Sequence, residues 1–322
     1  MTTYPPGDHC DGERFYNLDR AKTFRKGLRD VLKWRLSPRP MGAWPERAEN
    51  AHAPDLPRSL VAGQIAVTGI NHATELIQFA GLNVLTDPVF SERVSPVSWA
   101  GPRRVRPPGV EFDALPRIDA VLVSHNHYDH MDLPTLRRLQ GRDKPRFLVP
   151  LGNARLLSGA GIDGAVELDW WDEAPLGDDA RAVLVPVQHW SGRGFFDRRR
   201  ALWGGFFLRR GPASVFFAGD TGYGAHFAMI RERLGVPDLS VLPIGAYEPR
   251  WFMKDQHVNP DEAVRAHLDL GSRVSVGMHF GTFHLTDEGI DDPVAALAAS
   301  RRERGVPDAA FPALHNGLTV RL

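Results

Sequence analysis

The chain has 322 residues with Lys+Arg and Asp+Glu balanced at 39 each, so no overall charge argues for a nucleic-acid partner. An apolar fraction of 43% is enough for a substantial core, in one large domain or two ordinary ones. Cys10 is the single cysteine, which excludes an internal disulfide and fits a reducing compartment. Met1–Asp11 lacks the basic-then-apolar layout of a secretory signal. No apolar run approaches the roughly 18 residues of a membrane-spanning helix, so a cytoplasmic chain is expected, peripheral at most to the inner membrane surface.

Between Arg20 and Arg39 eight basic residues face one acid, Asp30. Phe24, Leu28, Val31, Leu32 and Leu36 recur there at helical spacing, which predicts a basic amphipathic helix. Such a helix can dock its stripe on the domain or lie on an anionic bilayer, and docking is the expectation. Pro38, Pro40, Pro45, Pro54 and Pro57 then predict an extended arm over residues 37–58. Residues 1–59 therefore read as a helical and extended arm, and 60–322 as the folded domain.

From Leu60 onward, apolar strand runs alternate with short helical patterns. Strands are predicted at 64–70, 73–81, 83–86, 120–124, 146–150, 182–187, 202–208, 214–218, 239–244 and 274–278. Helices are predicted at 133–140, 225–234, 260–270 and 293–304, the third with Asn259 as N-cap and Pro260 at its first position.

The chemistry concentrates after the strand at 120–124. His125-Asn126-His127-Tyr128-Asp129-His130 puts three imidazoles and a carboxylate in one short turn, a density that a cation would organise. Three later apolar runs also end in a ligand-type residue: Val183–His189, Val215–Asp220 and Val274–His279. Four strand ends, at 125–130, 189, 220 and 279, thus describe one site fed from across the fold. Imidazole and carboxylate ligands suit Zn²⁺, and the lack of Cys among them leaves Mn²⁺ or Fe open.

The order HxHxDH, His, Asp, His resembles the metallo-β-lactamase superfamily. That resemblance implies an α/β fold, a four-layer αββα sandwich, for residues 60–322. It implies two divalent metal ions: one on His125, His127 and His189, the other on Asp129, His130 and His279, with Asp220 bridging. It also implies that Asp87, at a strand end before Pro88, accepts hydrogen bonds from the metal loop. A narrower resemblance, to the N-acylphosphatidylethanolamine-hydrolysing phospholipase D branch, rests on Leu85–Phe90, Gly101–Arg104, Ser124–His130, Gln188–Trp190, Phe217–Tyr223, Leu242–Met253 and Gln256–Val258. By this likeness Tyr128 and His257 contact a phosphodiester substrate. The sequence departs from the pattern at Asn71, where Gly is common, and at Phe280, where Trp is common.

The expected function is metal-dependent hydrolysis of a phosphodiester, phospholipase D-type cleavage of an N-acylphosphatidylethanolamine-like phospholipid, with Asp129 and Asp220 central to catalysis. Two alternatives stay open: a lactonase or carboxylic ester hydrolase, and a non-catalytic membrane-associated protein. Expected partners are a phospholipid or other phosphodiester and an anionic membrane surface, with no nucleic acid; a homodimer is allowed. His72, His267, His284 and His315 are expected to be structural.

Overall fold

Strands in this chain are apolar on both sides because both sides are covered. The computed structural model describes residues 4–38, 41–61, 63–79, 81–177, 179–194 and 196–322. One sheet joins β1 (Ile65–Asn71), β2 (Thr74–Phe79), β3 (Leu82–Thr86), β4 (Ala120–Leu122), β5 (Arg146–Pro150), β6 (Val166–Leu168) and β13 (Thr319–Arg321), in the order β13-β1-β2-β3-β4-β5-β6. The other joins β7 (Glu173–Pro175), β8 (Ala180–Val185), β9 (Gly205–Arg210), β10 (Ala213–Phe217), β11 (Leu239–Pro243) and β12 (Val274–Met278), in the order β12-β11-β10-β9-β8-β7.

Alternation along each strand sorts side chains into layers. On β8, Ala180, Ala182 and Leu184 point into the core between the sheets, while Val183 and Val185 face outward. The outward set packs under α4 (His226–Leu234), α6 (Pro260–Leu270) and α7 (Asp292–Arg304). On the far side, Leu85, Val121 and Val149 pack under α2 (Leu133–Arg142) and α3 (Ala154–Gly159). The result is the expected αββα sandwich. Each fully buried Leu or Phe in these layers contributes roughly 1.5–3 kcal/mol relative to exposure.

The segment before β1 wraps the sandwich. Cys10 and Phe15 are buried in the core between the sheets, and Asn17 Oδ1 accepts from His189 N at 3.0 Å and Trp203 Nε1 at 3.1 Å. The predicted amphipathic helix is shorter than its stripe: α1 spans Leu28–Leu36, because Gly27 caps it and leaves Phe24 outside. Its orientation also differs from the expectation. Trp34, not the leucines, is the buried residue, and with Phe24, Phe252 and Met253 it forms a small cluster. Leu28, Leu32 and Leu36, one turn apart along a single face, are 71%, 49% and 78% exposed. Among the described residues no helix is long and apolar enough to cross a membrane.

Asn259 does cap α6: its side chain accepts from Glu262 N, and Glu262 answers to Asn259 N, with Pro260 at the first position. That fixes the loop just ahead, which carries His257.

Candidate metal centre

Strands β3, β4, β5 and β6 run parallel, as do β10, β11 and β12, so their carboxyl ends gather on one side of the sandwich. The loop after β4 delivers residues 125–130 from one sheet. His189 follows β8, Asp220 follows β10 and His279 follows β12, all from the other sheet. The structure therefore brings all seven predicted ligand residues to one place.

They meet as two triads. His125 Nε2 and His127 Nδ1 are 2.8 Å apart, and His127 Nδ1 and His189 Nε2 are 3.3 Å apart. His130 Nε2 and His279 Nε2 are 3.2 Å apart, with Asp129 Oδ2 at 3.6 and 3.7 Å from them. Asp220 lies between the triads: its oxygens are 3.1 Å from His279 Nε2, 3.2 Å from His130 Nε2, 3.7 Å from His189 Nε2 and 3.9 Å from His125 Nε2. Zn–N bonds of 2.0–2.1 Å in a tetrahedron put neighbouring donor atoms about 3.3 Å apart, and the spacings here, 2.8 to 3.9 Å, bracket that value. Asp220 Oδ1 is buried and takes no hydrogen bond, which is what a lone pair reserved for a cation looks like. The residues fit two divalent ions.

Tautomers are set from behind. Asp87 accepts from Ser124 N (2.7 Å), Ser124 Oγ (2.6 Å) and His130 Nδ1 (2.6 Å), and Ser124 Oγ in turn accepts from His125 Nδ1 at 2.9 Å. His189 Nδ1 donates to Gln256 O at 3.0 Å. In all three rings the Nε2 lone pair is left to face the centre. Asp87 thus stands where the resemblance puts it, against the metal loop.

The two triads differ electrically. Burial drives His125 well below the imidazole range, His127 to about 4 and His189 to about 3, so these rings present neutral lone pairs. On the other side burial is opposed and outweighed by Asp220, which raises His130 well above its ordinary value and His279 to about 9. Burial also works against ionised Asp129 and Asp220, yet the nearby histidines hold both far below the usual carboxylate range. Two ionised carboxylates, Asp220 buried and Asp129 half-buried, held beside imidazoles make a centre that a dication would balance.

Above it lies a cavity of about 390 Å³ with Phe24, Val31, Trp34, Trp190, Phe252 and Met253 as walls and His127, Asp129, Asp220 and His257 as floor. His257 reaches the centre, its Nδ1 3.9 Å from Asp220 Oδ2. Tyr128 also lines the cavity, but its hydroxyl donates to Arg193 O at 3.1 Å, and the Arg193 guanidinium lies 3.9 Å over its ring. It is a clamped wall residue rather than a free side chain.

Sequence reasoning missed two residues here. His72, expected to be structural, places Nε2 3.1 Å from Asp129 Oδ2 and groups with Asp129, His130 and His279. Its place on the β1–β2 turn, far ahead of the motif, gave no spacing to read. Arg193 donates to Asn126 O at 3.0 Å and Met131 O at 2.9 Å, pinning the metal loop to the loop after β8. Nothing in its sequence neighbourhood marks it.

A beta-lactamase superfamily domain matches residues 82–280. An uncharacterized protein of Mycobacterium tuberculosis is 42% identical over 294 residues, covering 89% of this chain and 77% of its own length. N-acyl-phosphatidylethanolamine-hydrolyzing phospholipase D 1 of Caenorhabditis elegans is 40% identical over 226 residues, covering 67% of this chain and 64% of the worm protein. The mitochondrial N-acyl-phosphatidylethanolamine-hydrolyzing phospholipase D of Saccharomyces cerevisiae is 35% identical over 250 residues, 76% of this chain and 53% of the yeast protein. Among solved structures, a metallo hydrolase from Ignicoccus hospitalis superposes with TM-score 0.59 at 20% identity, over 80% of this chain and 98% of that one. An isothiocyanate hydrolase from Delia radicum gut bacteria does so with TM-score 0.62 at 21% identity, over 79% and 98%. These two likenesses speak for the fold.

Proposed function

The chain belongs to the beta-lactamase superfamily and has its metallo-hydrolase fold, and from that premise we propose that it is a dinuclear phosphodiester hydrolase cleaving N-acylphosphatidylethanolamine-like phospholipids in the manner of a phospholipase D. The observation that carries the reading is the pairing of a two-triad centre with an aromatic-walled cavity directly above it. A small polar substrate has no use for such walls, whereas an acyl chain buries its methylenes there at about 0.8 kcal/mol each. The relatives named as phospholipases D, at 40% and 35% identity, support the same substrate class.

When bound, two divalent ions would lower the pKa of a water and neutralise the charge that grows on the phosphate oxygens. The protein's part is placement. His125, His127 and His189 would hold one ion, Asp129, His130 and His279 the other, and Asp220 would touch both. His257, on the cavity floor, would orient the phosphodiester. In the reaction water oxygen adds to phosphorus and the bond from phosphorus to the ethanolamine oxygen breaks. The leaving alcohol takes up a proton, giving N-acylethanolamine and phosphatidic acid.

The test is direct. Metal-loaded protein given N-acylphosphatidylethanolamine vesicles should release N-acylethanolamine and phosphatidic acid in equal amounts, and a chelator should stop it. Opening of acyl-lactones without any phosphodiester cleavage would replace this reading with a lactonase. In the same assay His257→Ala should lose roughly tenfold or more on the lipid but much less on bis(p-nitrophenyl) phosphate, with metal content unchanged. The activated ester needs the ions alone; the lipid headgroup must also be positioned. Equal losses on both substrates would remove His257 from substrate binding.

The outward leucine face of α1 supports contact with an anionic bilayer. Lys26 and Lys33 flank it, stacked near the half-exposed Trp251, and Trp34 on the inner face reaches the cavity, so one short helix links surface and site. Replacing Leu28, Leu32 and Leu36 together by Ser should weaken sedimentation with anionic vesicles at least tenfold while bis(p-nitrophenyl) phosphate turnover holds. Undiminished sedimentation would place membrane contact elsewhere.

A further inference from the structure

We propose that His72 is a positioning residue for the second ion: its Nε2–H holds Asp129 Oδ2 in place, and with it the carboxylate's aim at His130 and His279. The inference rests on the two-ion reading above.

His72 is 4% exposed and sits on the two-residue turn between β1 and β2. The distance from its Nε2 to Asp129 Oδ2, 3.1 Å, is that of a hydrogen bond. The same oxygen is the one directed at His130 and His279, at 3.6 and 3.7 Å. A carboxylate oxygen has two lone pairs, so it can take the His72 proton on one and face an ion with the other. His130 Nε2 and His279 Nε2 lie 3.2 Å apart, Asp129 Oδ2 is 3.6 and 3.7 Å from them, and Asp220 brings Oδ2 to 3.2 Å from His130 and Oδ1 to 3.1 Å from His279. With those donors already converging beside Asp129, His72 acts on the carboxylate through its hydrogen bond.

The rest of the residue is fixed as a device for holding one atom would need to be. Its ring lies against the His279 ring, centroids 3.9 Å apart, and meets the Phe283 ring edge-on at 5.3 Å. Its N–H donates to Thr282 Oγ1 at 3.1 Å, and its carbonyl accepts from His279 N at 2.6 Å. Four anchors override an unfavourable backbone: φ is +48°, in the left-handed region that side chains seldom adopt. The other ring nitrogen, Nδ1, is buried and without a hydrogen-bond partner, so the single proton of the neutral ring has one useful place, on Nε2 toward Asp129. A turn at the front of the chain is thereby tied to the loop that ends β12.

Two variants carry the same backbone strain and differ in the donor. His72→Phe keeps a ring between His279 and Phe283 but has no N–H; His72→Gln keeps an N–H donor without the ring. Zinc titrations against a competing chelator should show the second ion bound 10–100-fold more weakly in His72→Phe, the first unchanged, and His72→Gln nearer wild type. Unchanged binding of both ions in His72→Phe, or Gln no better than Phe, overturns the proposal. Wild-type protein carrying ¹⁵N-histidine and ¹¹³Cd gives a reading that no folding defect can disturb. His72 Nε2 should bear an exchange-protected proton and show no coupling to cadmium, while the other six histidines of the centre that would face an ion or Asp220 define the comparison. Cadmium coupling to His72 would make it a ligand and overturn the positioning role. Binding of a single ion by wild type would count against the two-ion reading instead, with the His72 proton still reporting on its own bond.

Discussion

Asp220→Ala should lose at least one of the two ions and lower kcat/KM for the phospholipid by about 10³-fold or more, a loss of roughly 4 kcal/mol in transition-state stabilisation. Asp220 is 2% exposed and, among the described residues, is the one carboxylate whose oxygens lie within 3.9 Å of both triads. Removing it would deprive both proposed ions of a charge and leave His130 and His279 facing each other without their main counter-charge. Metal analysis after gel filtration decides the matter. Two tightly held ions in this variant would end the bridging assignment.

Asp129→Asn is expected to preserve the fold and nearly abolish turnover, again by about 10³-fold. The amide keeps the volume and can still accept from His72, so the loop keeps its shape. What it loses is the negative charge 3.6 and 3.7 Å from His130 and His279, on a side chain that lines the cavity, 17% exposed against 0% for those two. Circular dichroism should overlay wild type while the phosphodiester assay falls silent. Turnover near the wild-type rate would mean that the chemistry does not run through this loop.

The features legible in the sequence were those in which one element carries one signal. His189, Asp220 and His279 each end a run of apolar residues long enough to read as a buried strand, and the structure places each at a strand's carboxyl end. The short elements were not legible. β6 and β13 have three residues each, and β7 contains Pro175, which argues against a strand until β8 supplies the partner. α3 and the helix Arg250–Met253 (α5), of six and four residues, are too short for a helical period to repeat.

α1 shows a different limit. Its leucines form the more regular stripe, yet Trp34 is buried because Phe252 and Asp287 wait for it, the latter accepting from Trp34 Nε1 at 2.8 Å. Those partners lie more than two hundred residues on, where no local pattern can see them. His72 was hidden for the same reason: its meaning is Asp129, and the pair exists only after β1 and β4 share a sheet.

The candidate ligands come from opposite halves of the sandwich: residues 125–130 follow a strand of the seven-stranded sheet, while His189, Asp220 and His279 follow strands of the six-stranded one. An ion held between them is a rivet through two plates. Because it binds only when the plates are closed, its affinity is lent to their closure, adding about 2.7 kcal/mol of stability at a free ion level one hundred times Kd. The melting temperature of this chain would then gauge the metal supply around it, and starvation for metal would loosen the molecule as well as silence it.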